Sequence, residues 1–123
     1  MKHHFIRATI LASLLVAAPA HAESSAKVFL ENIDGPNQDL SLMFSLNLGS
    51  ILIGIQTTQA YIQVNRREKN IYCSPRKMVI TTEQTASILR EFVKKEPELA
   101  EQPASLVLLY ALRETFPCKP TAQ

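Results

Sequence analysis

The sequence predicts an all-α fold: a small domain of four helices, stapled by one disulfide, that follows a cleaved signal peptide. Between Ser24 and Phe116, apolar residues recur at the three- and four-residue spacing of amphipathic helices, and no segment has a strand pattern of comparable quality. Prolines and helix-capping residues divide this pattern into four segments. The two cysteines lie in the stretches "CSP" and "FPC", each close to a proline.

The first 22 residues, "MKHHFIRATILASLLVAAPAHA", are typical of an export signal. A basic start precedes an apolar run from Ala8 to Ala18, and Ala20 and Ala22 form a small-residue cleavage motif. The run has 11 residues, whereas a membrane anchor needs about 20. We therefore expect a signal peptide at 1–22, a single domain at 23–123, and a periplasmic protein that begins at Glu23 after cleavage.

The predicted domain has a balanced charge. The chain has 13 Lys and Arg against 11 Asp and Glu, and two of the basic residues, Lys2 and Arg7, belong to the signal, which leaves 11 of each sign. A net charge of zero gives no reason to expect a nucleic-acid partner.

Reactive side chains are scarce in the predicted domain. His3, His4 and His21 are the only histidines of the chain, and all three lie in the signal. Without imidazole there is no Ser-His or Cys-His nucleophile pair and no histidine zinc ligand, and two cysteines are too few for a thiolate site. An enzyme that uses lysine or carboxylate side chains stays open, but no paired-carboxylate or glycine-rich phosphate motif stands out. We expect no catalytic residue, no cofactor and no metal site, and hence not an enzyme.

Cys73 and Cys118 are the only cysteines of the chain. Export would bring them to a compartment where thiols become oxidised, and two cysteines allow one intramolecular pairing. We expect a structural disulfide rather than two reactive thiols. It would close a loop of 46 residues, counting both ends, which corresponds to about 4 kcal/mol in the chain-entropy model.

The first two predicted helices differ in length. "SSAKVFLENI" predicts a short helix with Ser24 or Ser25 as its cap, ended by "DGPN". The second begins near Asp39 as its N-cap and has no charge from Leu40 to Asn65, with serine, threonine and glutamine on one side. This pattern favours a long, largely buried central helix over a membrane span, so we expect no stable membrane insertion of the mature chain.

Two glycines interrupt the second helix. Gly49 and Gly54 weaken a helix locally, so we expect them to permit close contact with a neighbouring helix rather than to bind a ligand.

The third and fourth helices follow a basic connector. "TTEQ" predicts a capping box of Thr81 and Gln84 and a helix from about Thr82 to Lys95. Its expected inner residues are Ile88, Leu89, Phe92 and Val93. Pro103 fits the first turn of the fourth helix. There the expected inner residues are Leu106, Val107, Tyr110, Ala111 and Phe116.

The connector has the densest positive charge of the chain. Five cations occur within the twelve residues from Arg66 to Lys77, next to an aromatic side chain. They predict a partner-binding surface, and the alternative is a solvated loop. The candidate binding residues are Arg66, Arg67, Lys69, Tyr72, Arg76 and Lys77.

The second half of the chain resembles a known family. "CSP" at Cys73, "EFVKKEPEL", and "ASLVLLYALRETFPC" ending at Cys118 resemble the Rap/Tai family of periplasmic immunity proteins, over roughly Leu48 to Cys118. The resemblance implies a disulfide-stapled four-helix fold. It also implies a partner, a peptidoglycan amidase toxin delivered by a type VI secretion system, which the protein would bind and inhibit. A homodimer is a further hypothesis.

Other functions stay open at this point. The fold is similar to that of the small acid-stress (Hde-like) chaperones of the periplasm, which also have a helical core and one disulfide. A chaperone of this kind needs carboxylates that lose their charge as the pH falls, leaving net repulsion and exposed apolar surface. A non-catalytic accessory protein of the envelope is the other alternative.

Overall fold

The computed structural model describes residues 23–66 and 69–119. Within these ranges the chain forms four α-helices and no named strand, as the sequence predicts. The helices are α1 (Ala26–Ile33), α2 (Gln38–Arg66), α3 (Thr82–Lys95) and α4 (Ala104–Thr115). A short 3₁₀ helix, Pro97–Leu99, lies between α3 and α4.

The predicted signal peptide at 1–22 lies outside the described residues. Export, cleavage after Ala22 and the periplasmic location therefore stay predictions.

The ends of α1 match the sequence prediction. Ser25 is the N-cap, and its Oγ accepts a hydrogen bond from the Val28 N–H at 3.3 Å. The helix ends at Asp34, where "DGPN" begins. The buried Phe29 packs edge-on against Phe44 of α2, with ring centroids 5.1 Å apart, so α1 contributes to the same core as α2.

The N-terminus of α2 corrects the prediction that Asp39 is its cap. The Leu40 N–H donates to Asn37 Oδ1 at 3.1 Å, and the Ser41 N–H donates to Asn37 O at 2.9 Å. Asn37 therefore caps the helix. Asp39 lies in the first turn, where a carboxylate interacts favourably with the positive end of the helix dipole.

The expectation that α2 is largely buried is wrong. By length and composition α2 could cross a membrane, yet only 11% of its candidate span is buried within this chain. Length and composition alone are weak support for a membrane span, because the core helix of a soluble protein can have both. The physical reason is that the other helices cover only one side of α2: Leu48 and Leu52 are buried, whereas Leu46 and Ile53 beside them are more than 60% exposed. In addition, α2 with 29 residues is much longer than α3 with 14 and α4 with 12.

The capping box of α3 is present as predicted. The Gln84 N–H donates to Thr81 Oγ1 at 3.2 Å, and the Thr81 N–H donates to Gln84 Oε1 at 2.9 Å. These reciprocal bonds satisfy two donors that would otherwise lack a partner at the helix start. Along α3 the buried residues are Thr85, Ala86, Leu89 and Phe92. Two of the four predicted inner residues are therefore buried, and the other two, Ile88 and Val93, are partly buried and pack against the core.

The fourth helix begins one residue later than expected. Pro103 is the N-cap of α4, not a member of its first turn, and it provides no side-chain cap. Glu23 supplies the missing acceptors: its Oε1 accepts from the Ser105 N–H at 2.8 Å and its Oε2 from the Ser105 hydroxyl at 2.6 Å. The start of the described chain thus caps α4.

The inner side of α4 is also rotated from the prediction. Of the predicted inner residues, Val107 and Ala111 are buried and Phe116 packs against the core, but Leu106 and Tyr110 are exposed. The residues buried along the helix are Ala104, Val107, Leu108, Ala111 and Leu112. This side faces the other helices because α4 packs against α1, α2 and α3 together. A helix surrounded on three sides buries a broader band than a simple amphipathic stripe.

One core holds the four helices together. Its largest fully buried aliphatic side chains are Leu48 of α2, Leu89 of α3, and Leu108 and Leu112 of α4. Burial of each such side chain stabilises the fold by about 1.5–3 kcal/mol relative to exposure. The segment between α2 and α3 also enters this core, through Tyr72 and Ile80.

Candidate functional site: the connector and the outer face of α2

The connector, as the structure bounds it, is the whole segment between α2 and α3, residues 67–81, and residues 69–81 of it are described. Its first part is bound to α2 by one side chain. Gln59 Oε1 accepts hydrogen bonds from both the Ile71 N–H and the Tyr72 N–H, each at 3.0 Å. A single amide therefore fixes two successive backbone groups of a segment that belongs to no helix or strand.

The predicted disulfide is present and fixes the connector to the end of α4. Cys73 and Cys118 are bonded, with their Cα atoms 4.9 Å apart. Next to the bridge, the Cys73 N–H donates to Phe116 O at 2.8 Å. The antiparallel return of α3 and α4 brings Cys118 back to Cys73. Pro75, which follows the first cysteine, and Pro117, which precedes the second, therefore lie at one corner of the molecule.

Tyr72 has to be removed from the candidate binding residues. Its side chain is only 2% exposed, and its ring lies 6.3 Å from that of Phe116, centroid to centroid. Tyr72 is buried because its aromatic ring has a large apolar area. Packing that ring against the core therefore stabilises the fold more than packing any residue beside it in this segment would. Tyr72 is an anchor of the connector and not part of its surface.

A tight turn forms the tip of the connector. The Met78 N–H donates to Pro75 O at 3.1 Å. Lys77, at the third position of this turn, has φ of 70° and is the described non-glycine residue with a positive φ. A positive φ at this position is characteristic of type II turns, where glycine or asparagine is usual. A lysine side chain in this backbone conformation is therefore strained.

The predicted cations are spread along the connector, and the structure does not describe all of them. Lys69, Arg76 and Lys77 are exposed. Arg66 is the last residue of α2, and Arg67 lies outside the described residues. Arg76 and Lys77 are brought together at the turn, and neither takes part in an ion pair among the described residues. The binding role of all these cations stays a prediction.

Sequence reasoning missed the apolar part of this surface. Val79 is 81% exposed, the highest value among the large apolar residues described, while the next residue, Ile80, is buried. The two neighbouring side chains therefore differ in their surroundings, Ile80 in the core and Val79 in solvent. The signal that could have found it is an apolar pair immediately before the capping box.

The outer face of α2 is a second exposed surface. It consists of apolar residues on the side of the helix away from Leu48 and Leu52. Its members are 59–77% exposed. They are Leu42, Leu46, Ile53, Tyr61 and Val64.

Two hydroxyl groups in this part of α2 donate to carbonyl oxygens of the same helix. Ser50 Oγ donates to Leu46 O at 3.0 Å, and Thr58 Oγ1 donates to Gly54 O at 2.9 Å. Because these two hydroxyls have partners already, they would not be left unpaired if this part of α2 were covered.

The two helix glycines differ in their surroundings. A Cβ atom at Gly49 would lie 3.2 Å from Thr82 Oγ1, so the expected close contact with a neighbouring helix is present there. A Cβ atom at Gly54 would meet nothing within 4 Å. The expectation of a close contact within the chain is therefore wrong for Gly54, which lines a surface groove together with Ile71 and Leu109.

The described residues whose pKa is shifted belong to pairs at the surface. Hydrogen bonds from Arg90 hold the pKa of Asp34 below its usual value, and the neighbouring Glu98 raises the pKa of Glu96. Among the described residues, no group of three or more His, Cys, Asp or Glu side chains could hold a metal ion. The arrangement offers exposed basic and apolar surfaces.

Comparison with known proteins agrees with the resemblance found in the sequence. Searches of curated proteins and of solved structures found no match. The family model of Rap1a immunity proteins matches residues 50–118, more than half of the chain. The match contains much of α2, the connector, α3, α4 and both cysteines. The chain therefore belongs to the Rap1a immunity protein family and is an immunity protein against a toxin.

Proposed function

We propose that this protein protects the cell wall of its host by binding a peptidoglycan amidase toxin of a type VI secretion system in the periplasm. The observation that carries the proposal is the family match over the connector, α3, α4 and both cysteines. The amidase and the secretion system are carried over from the resemblance to the Rap/Tai proteins. The compartment rests on the signal pattern at 1–22.

The composition supports inhibition by binding alone. Residues 23–123 contain no histidine, and an inhibitor needs a complementary, preorganised surface rather than a reactive group. The disulfide and the Gln59 hydrogen bonds supply that rigidity at the connector. We therefore propose a non-catalytic role.

The experiment is periplasmic co-expression with a candidate amidase encoded next to this protein. Cells that make the exported amidase should lyse, and co-expression of the full chain should restore growth. A version without residues 1–22 is the matched control, because it keeps the proposed binding domain in the cytoplasm and should fail to protect. Protection by this control would overturn the proposal that the protein acts in the periplasm. Continued lysis with the full chain, with no complex at micromolar concentration, would overturn the amidase.

We also propose that two copies pair through the outer face of α2. A contiguous exposed apolar patch commonly marks an interaction site, and the chain itself covers only the side of α2 that holds Leu48 and Leu52. The uncharged stretch from Leu40 to Asn65 lets the face meet its own copy without repulsion between like charges. In a two-fold pair the same patch meets itself, so each copy would cover the exposed apolar residues of the other.

Measurement of mass in solution tests the pair. The purified wild type should sediment as a dimer, and Ile53→Glu should sediment as a monomer because two carboxylates would then face each other. Ser87→Glu, which adds the same charge on an exposed position of α3, should stay dimeric. A monomeric wild type would overturn the pairing. The pairing would also be overturned if the wild type bound phospholipid vesicles and Ile53→Glu did not. Lipid, and not a second copy, would then cover the outer face of α2.

A further inference from the structure

We propose that the tip of the connector, residues Pro75 to Val79, is the primary contact with the toxin and enters a cleft with carboxylates at its rim and an apolar floor. The inference rests on the proposed function, and it names the contact surface and the chemistry of the partner.

Both ends of the tip are fixed before any partner binds. On one side are the buried Tyr72 and the bridge from Cys73 to Cys118. On the other side are the buried Ile80 and the capping box of Thr81. Because the anchors hold both ends, the tip loses little conformational freedom on binding, and preorganisation of this kind raises affinity.

The backbone at Lys77 indicates that its side chain is needed. Glycine would adopt the observed φ of 70° without strain, whereas a lysine there destabilises the turn. Strained backbone of this type tends to occur where the surrounding structure enforces it and where ligands bind. No hydrogen bond or ion pair of the Lys77 side chain with another described residue offsets the strain within the chain. The strain therefore points to a contact with a partner.

The tip combines two kinds of group that recur at the centre of protein interfaces. Arg76 and Lys77 place two cations on the turn, and Val79 offers an apolar side chain that is 81% exposed. Cations speed association with an acidic partner, while burial of an apolar side chain contributes affinity that does not depend on salt. The outer face of α2 has no charge and lacks the first of these features.

The experiment compares stability and affinity for variants at position 77, with the purified amidase that passes the co-expression test. Lys77→Gly removes the side chain and the strain together, so the protein should become more stable while its affinity falls roughly tenfold or more. Lys77→Arg should keep most of the affinity. Val79→Asp should weaken binding at both low and high salt, whereas the double reversal of Arg76 and Lys77 to glutamate should weaken it most at low salt.

Lys94→Glu is the matched control, because it reverses a charge near the C-terminal end of α3, the end away from the connector, and should leave affinity within about twofold. The opposite response of stability and affinity in Lys77→Gly separates a contact from a structural role. Wild-type affinity in both Lys77→Gly and Val79→Asp would overturn the tip as the contact while immunity is kept. An equal loss in Lys94→Glu would overturn it too, in favour of general charge attraction. If the wild type protects no cell and binds no amidase, this inference falls with the proposed function.

Discussion

The two halves of the bundle use apolar residues differently. In α3 and α4 the fully buried residues form one band that faces the core, and the opposite sides are polar or only partly apolar. In α2, Leu48 and Leu52 face the core, while Leu46 and Ile53 are more than 60% exposed on the other side. Helical spacing of apolar residues thus predicts that a helix forms, but it does not identify which side its own chain covers.

The largest difference in the free energy of unfolding is expected between the replacement of a buried leucine of α4 and that of an exposed leucine of α2. Leu108→Ala removes a fully buried side chain of α4 and should lower the free energy of unfolding by about 2–5 kcal/mol. Leu46→Ala, on the outer face of α2, should cost under about 0.5 kcal/mol in dilute solution. Urea unfolding monitored by circular dichroism measures both.

The protein concentration sharpens this comparison. If the outer face pairs with a second copy, the cost of Leu46→Ala should grow with concentration, because the dimer is stabilised by mass action. A large cost of Leu46→Ala that does not depend on concentration would contradict the exposure of this face.

The disulfide is expected to have the next largest effect. Replacement of Cys73 and Cys118 by serine should leave the helices formed and lower the free energy of unfolding by about 2–4 kcal/mol, since the unfolded chain regains the freedom of a closed loop. Thermal unfolding of the double variant, beside the oxidised wild type, measures the loss. Two free thiols in the denatured, exported wild type would contradict the bridge itself.

The cap that Glu23 provides to α4 is expected to be worth less. Glu23→Ala should lower the free energy of unfolding by about 1 kcal/mol, because the Ser105 N–H loses its acceptor at a helix start. Glu31→Ala removes a carboxylate from an exposed position of α1 and serves as the control, with a change within about 0.5 kcal/mol. Equal losses in both variants would mean that charge in general, and not the cap, is responsible.

The features that the sequence predicted well are local ones. The caps of α1 and α3 join groups three residues apart, so both partners lie in one short stretch of sequence. The bridge between Cys73 and Cys118 was predictable because two cysteines allow one pairing.

The features that were missed depend on distant partners. Glu23 caps Ser105 across 82 residues, and Tyr72 is buried because Phe116 returns to it at the end of α4. No local pattern contains either pairing. The positive φ of Lys77 was not predictable for another reason, since the residues that usually mark such a turn, glycine and asparagine, are absent from it.

The smallest expected effect concerns the ion pair that joins α1 to α3, and its dependence on pH distinguishes it from packing. Arg90 Nη2 and Nε donate to the two carboxylate oxygens of Asp34 at 2.6 and 3.0 Å, and these bonds lower the pKa of Asp34 in the folded state. A lowered folded-state pKa stabilises the fold above the unfolded-state pKa, and this stabilisation is lost as the pH falls through the folded-state value. Because both side chains are a third or more exposed, Asp34→Asn should cost under about 1 kcal/mol at pH 7. The difference between Asp34→Asn and the wild type, measured by urea unfolding, should shrink as the pH falls below the ordinary aspartate range and in high salt. A difference that persists at low pH would assign the effect to the shape of the side chain rather than to its charge.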